Sequence, residues 1–175
     1  MKKAFIIISI IFSILPHKIF CQDTINWRPS YKLTWQDFRA KPDEASEFGA
    51  LSDCSISYSF IYKDDSLSFK IASLFTRSKS WLKFRDDTIL LKHEQGHFDI
   101  NELFTRKLKK AFKAYSFNPV SVNKDLEAIF NKVWEEKKAF DARYDKETDH
   151  SINKAKQLEW SEMIATELND LNEFK

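Results

Sequence analysis

Glycine is nearly missing from this chain: Gly49 and Gly96 are the only two among 175 residues, so its loops are not built on glycine. Cysteine is just as scarce. Of the two present, Cys21 falls at the end of the N-terminal segment, which leaves Cys54 alone and excludes a disulfide framework. Stability must therefore come from an apolar core, with Cys54 read as a small buried residue at the start of a strand. Internal repeats and low-complexity tracts are lacking too. After residue 20 no apolar run reaches the roughly 20 residues needed to span a bilayer.

The one long uncharged run, Ala4 to Leu15, follows Lys2 and Lys3 and reads as the core of a secretory signal peptide, residues 1–21. Ile19-Phe20-Cys21 is a poor small-residue match, so the cut is placed near Cys21 to Asp23. Lys18-Ile19-Phe20-Cys21 also lacks the small residues that precede a lipid-modified cysteine. Removing Lys2, Lys3 and Lys18 from 28 basic residues leaves 25 against 26 acidic ones, a net charge of −1. The basic pI of the whole chain thus implies no nucleic-acid partner. The expectation is a secreted or periplasmic protein with no stable membrane insertion after cleavage.

What remains is rich in apolar and aromatic side chains, 43% and 15% of the chain, as in one folded domain over residues 22–175. From Cys54 the pattern has a period of two. Ile56, Tyr58, Phe60 and Tyr62 alternate with polar neighbours; Lys63-Asp64-Asp65-Ser66 supplies a turn; Leu67, Phe69, Ile71 and Phe75 resume the alternation, with Ser73 the exception. This predicts an antiparallel hairpin, for which the Trp35 segment is the natural third strand.

Beyond Trp81 the period becomes helical. One helix is predicted from Asp87 to about Tyr115, capped by Asp86 or Asp87, and a second through Leu126, Ile129, Phe130, Val133, Trp134 and Phe140, with Asn123 or Asp125 near its start. A break at Tyr144 to His150 precedes a last helix bearing Leu158, Ile164, Leu168 and Leu171. The fold class is α+β, a small antiparallel sheet in the N-terminal half packed against helices.

The first helix carries His93-Glu94-Gln95-Gly96-His97. Residues four apart share a helix face, so both imidazoles can reach one tetrahedral zinc ion. Glu94 lies about 100° further round, placed to take a proton from an attacking water. Random order gives this pattern in roughly 0.6% of such chains, and here it falls inside an amphipathic helix, where the chemistry needs it. Gly96 costs the helix about 1 kcal/mol relative to alanine, which points either to a group that approaches closely there or to tight packing of the helix against the sheet.

A catalytic zinc site uses three protein ligands and keeps one position open. His17 lies in the signal segment, which leaves His150 as the favoured third ligand, with Glu102, Asp145 and Asp149 as alternatives. Asp99, Glu102 and Asp149 are candidates for holding the far nitrogens of the imidazoles. Tyr144 is a candidate oxyanion donor if the break folds over the metal.

Leu90-Leu91-Lys92-His93-Glu94-Gln95-Gly96-His97-Phe98-Asp99-Ile100, followed by Tyr144-Asp145-x-x-Thr148-x-His150 and preceded by Leu33-Thr34-Trp35-x-Asp37-Phe38, resembles a bacterial family described as predicted secreted zinc-dependent proteases of zincin type. The resemblance covers most of the mature chain. It implies a zincin-like metallopeptidase domain with His150 as third ligand, zinc as cofactor and a peptide or protein as substrate. Ser151 departs from the family, which more often has glycine there. The competing reading is a non-catalytic zinc-binding or interaction protein of the cell envelope.

Overall fold

A computed structural model describes residues 23–63 and 66–175. The signal-peptide expectation lies outside these residues, as do His17 and the hairpin turn at positions 64 and 65. The architecture is α+β, a small antiparallel sheet with three helices.

The hairpin forms where the alternation places it, as β3 (Cys54–Lys63) and β4 (Ser66–Thr76), with Tyr58 opposite Ile71 and Phe60 opposite Phe69. Ile56, Tyr58, Phe60, Phe69 and Ile71 turn toward the helices. Ser73, the polar exception on this face, is buried and accepts a hydrogen bond from Asn101 Nδ2 at 2.8 Å. The serine hydroxyl thus pairs with an amide from the helix above, which also donates to the Ser55 carbonyl at 2.8 Å.

The third strand differs from the sequence expectation. It is β1 (Thr24–Asn26), paired with β4 in the order β1-β4-β3. Trp35–Asp37 instead forms a single 3-10 turn, because Thr34 and Asp37 close a capping box. Asp37 is buried and also binds Arg77 at 3.0 Å and the Tyr31 hydroxyl at 2.9 Å. An ion pair this well connected holds the segment out of the sheet. Two short strands, β2 (Ala50–Leu51) and β5 (Trp81–Leu82), pair separately.

Helix α1 (Thr88–Lys113) starts at Asp87, whose carboxylate accepts from the amides of Ile89 and Leu90. It is the centre of the molecule: Phe98, Ile100, Leu103 and Leu108 are fully buried between the sheet and the other two helices. Helix α2 spans Val122–Thr148 and α3 Lys154–Asp170. The break expected at Tyr144 to His150 is thus shorter and later, so Tyr144 and Asp145 sit on a rigid helix. Among the described residues no helix is long and apolar enough to cross a membrane.

Candidate functional site

Helix α1 presents His93, Glu94 and His97 toward the last turns of α2. His93 and Glu94 are buried, at 2% and 4% exposure. The Nδ1 of His93 lies 3.1 Å from Gln157 Oε1 on α3, while its Nε2 lies 3.1 Å from Asp145 Oδ1. The Gln157 amide is oriented by its other end, where Nε2 donates to the Tyr144 hydroxyl at 2.7 Å. Its oxygen therefore accepts, and His93 carries its proton on Nδ1.

His97 repeats the arrangement with a carboxylate behind it. Its Nδ1 is 3.1 Å from Asp141 Oδ1 and its Nε2 is 3.0 Å from the same Asp145 Oδ1. Both imidazoles thus have the far nitrogen held by an acceptor and aim Nε2 at one oxygen. Burial opposes the charged form of His97, but hydrogen bonds to Asp141 and Asp145 and the charge of Glu94 push its pKa up to about 10. Burial likewise opposes ionisation of Asp145, yet the bonds from His93 and His97 and their charge hold its carboxyl well below the usual range.

His150 approaches Asp145 from the end of α2. Asp149, His150 and Ser151 are three successive residues with positive φ, at 49°, 49° and 83°. Only glycine adopts such angles freely. This left-handed run turns the chain sharply and seats the His150 ring on Phe48, 4.9 Å between ring centroids, with Nδ1 3.9 Å from Asp145 Oδ1. His93, Asp145 and His150 each offer a ligand atom within 4.8 Å of the others.

The Tyr144 hydroxyl is not where an oxyanion donor must be. The side chain is fully buried behind His93, stacked on it at 4.6 Å. Its hydroxyl donates to the His93 carbonyl at 3.1 Å and accepts from Gln157. With both capacities used inside the protein, Tyr144 supports the His93 turn and does not face the cleft. It is also the group that approaches Gly96, since a Cβ built there would overlap the Tyr144 hydroxyl.

The other sequence candidates lie elsewhere. Glu102 is buried against Arg106 at 2.8 Å, Asp99 accepts from Trp27 Nε1 at 2.7 Å and Gln95 at 2.8 Å, and Asp149 forms the left-handed cap of α2. Asp141 and Gln157 take the roles assigned to them. Asp141 had a legible signal: it stands four residues before Asp145, matching the spacing of the two histidines it faces. Gln157 had none, because its element is placed only by tertiary packing.

The histidines open onto a cleft of about 260 Å³ lined by Phe48 to Ser52, Leu90, Glu94, Asp141, Asp145 and His150. Among the described residues the Glu94 carboxylate has no hydrogen-bond partner. Two Nε2 atoms and a carboxylate oxygen converging at 3.0 and 3.1 Å need hydrogen or a cation between them. In a tetrahedral zinc site with bonds of about 2.1 Å the donors stand roughly 3.4 Å apart, against the 3.0 and 3.1 Å of these atoms.

Residues 25–151 match a family described as "Bacterial protein of unknown function (DUF922)". No curated protein and no solved structure matches the chain.

Proposed function

We propose that this chain, which belongs to the DUF922 family of bacterial proteins, is a zinc-dependent hydrolase of peptide bonds acting outside the cytoplasm. The observation that carries the reading is the pair of histidines whose Nδ1 atoms are anchored by Asp141 and Gln157 while both Nε2 atoms face one point. Imidazole ligands of a metal are held this way, because the outer bond fixes tautomer and ring orientation.

His93 and His97 are two ligands in this reading, and His150 is the third. The left-handed run at 149–151 supports His150: strain of that kind persists only where the surroundings enforce it, and here its product is an imidazole on the cleft rim. Asp145 adds negative charge beside the ligands. If it also stayed bound, four protein groups would close the site, and the free carboxylate of Glu94 favours an open one.

Zinc held there supplies Lewis acidity, polarising a substrate carbonyl and lowering the pKa of water. Glu94 takes the proton from the attacking water and delivers it to the departing amine. Asp141 and Gln157 hold the imidazoles through this transfer, and Tyr144 keeps the His93 turn in place. Strand β2 borders the cleft and pairs only with β5 among the described residues, so its other edge is available to main-chain groups of an extended peptide.

A second reading has one observation in its favour. A proton on His97 can satisfy Asp145 without any metal, in keeping with the raised pKa of that imidazole, which suits a non-catalytic envelope protein. That reading gives Glu94 no role. The test is hydrolysis of an unfolded protein by the purified mature chain with zinc, with chelator, and as Glu94→Gln. Cleavage by the zinc form alone, abolished in Glu94→Gln, supports the hydrolase; equal rates in the wild type and Glu94→Gln would remove it.

A further inference from the structure

Lysine is almost never buried without a charged partner, yet Lys137 on α2 is only 6% exposed. Its Nζ lies 2.6 Å from Asp141 Oδ2 and 5.1 Å from the Trp134 ring centroid. Other short-range pairs, such as Lys138 with Glu135 and Lys156 with Glu159, have side chains 44–67% exposed and are ordinary solvated contacts. The Lys137 pair is different in setting and in what it touches. Asp141 gives Oδ2 to Lys137 and Oδ1 to the Nδ1 of His97, at 3.1 Å.

We infer that Lys137 is a positioning residue for His97: by holding one oxygen of Asp141, it aims the other at His97 Nδ1 and so directs Nε2 into the cleft. A carboxylate torsion is broad and soft, so a single hydrogen bond to His97 would leave it free to swing. A second bond from a buried, dehydrated ammonium fixes it. The two imidazoles are then supported differently. His93 rests on the neutral amide of Gln157, and His97 on a carboxylate braced by a cation. Lysine, aspartate and aspartate at 137, 141 and 145 form one four-residue stripe on α2, facing the four-residue spacing of His93 and His97 on α1.

The orienting role stands on the geometry alone; its consequence for zinc rests on the proposed function. The experiment reads the two separately. In the full mature chain, long-range proton–nitrogen NMR follows the slowly exchanging Hδ1 protons of His93 and His97, and chelator competition measures zinc affinity, for wild type, Lys137→Met and Lys137→Arg. The expected result is that Lys137→Met loses the His97 Hδ1 signal and keeps that of His93. Zinc binding then weakens roughly tenfold to a hundredfold. Lys137→Arg restores most of both. If Lys137→Met does not fold, Lys137→Gln replaces it with the same readouts. A folded variant that keeps a protected His97 Hδ1, with zinc affinity within twofold of wild type, overturns the inference. If wild type binds no zinc but the His97 signal still depends on Lys137, the positioning role stands and the zinc reading falls.

Discussion

The Tyr144 hydroxyl occupies the place a Cβ on Gly96 would take and donates to the carbonyl of His93, so the turn of α1 that carries both histidines is pinned to α2 at its one glycine. A side chain at position 96 must displace a fully buried phenol that is also bonded to Gln157.

Gly96→Ala is therefore expected to destabilise the protein by about 2–3 kcal/mol, despite alanine's better helix propensity, through overpacking. Tyr144→Phe removes the atom that clashes first. In urea denaturation, the cost of Tyr144→Phe should be smaller in the Gly96→Ala background than in wild type. Additive effects would place the strain elsewhere.

Ser151 holds a φ of 83°, which glycine tolerates and serine does not. Ser151→Gly is expected to stabilise the fold by about 1 kcal/mol. A melting temperature that falls would show that the serine side chain contributes more than its backbone strain costs.

Metal-free protein should lose stability on both sides of a mildly acidic window. His97 titrates near 6.5 when unfolded and at about 10 when folded, so its contribution is complete below 6.5 and disappears as pH rises toward 10. Asp145 is shifted the other way from 3.8, so its contribution is present above that value and is lost as pH falls through its lowered folded pKa. Melting temperatures from pH 3 to 10 measure this. His97→Gln should flatten the alkaline slope, and an unchanged slope would assign it to other groups.

The third ligand is decided by comparing His150→Ala with Asp145→Asn. Loss of His150 is expected to weaken zinc binding by about a hundredfold, and Asp145→Asn by about tenfold. The reverse order makes Asp145 the ligand and His150 a rim residue resting on Phe48.

How far the sequence reaches into this site follows the range of the interactions involved. The histidine pair, the Asp87 cap and the β3–β4 hairpin are set by neighbours within a few residues, and periodicity reveals them. Even Ser73, the break in the strand pattern, marks a real contact, although its partner Asn101 is 28 residues away. Strand β1 has three residues, too few to show alternation, and the Trp35 turn owes its shape to Arg77, 40 residues from Asp37. The continuation of α2 through Tyr144 was hidden by its charged and polar last turn, which is helical because Tyr144 and Thr148 are buried against His93. Gln157 bonds across 64 residues, beyond any local pattern.

The most direct test of the account is the zinc content of the purified mature protein, measured by elemental mass spectrometry after loading and removal of free metal. About one zinc per chain is expected in the wild type, and none in His93→Ala or His97→Ala. A wild type that stays empty, with Asp145 and the histidines balanced by protons alone, would contradict it.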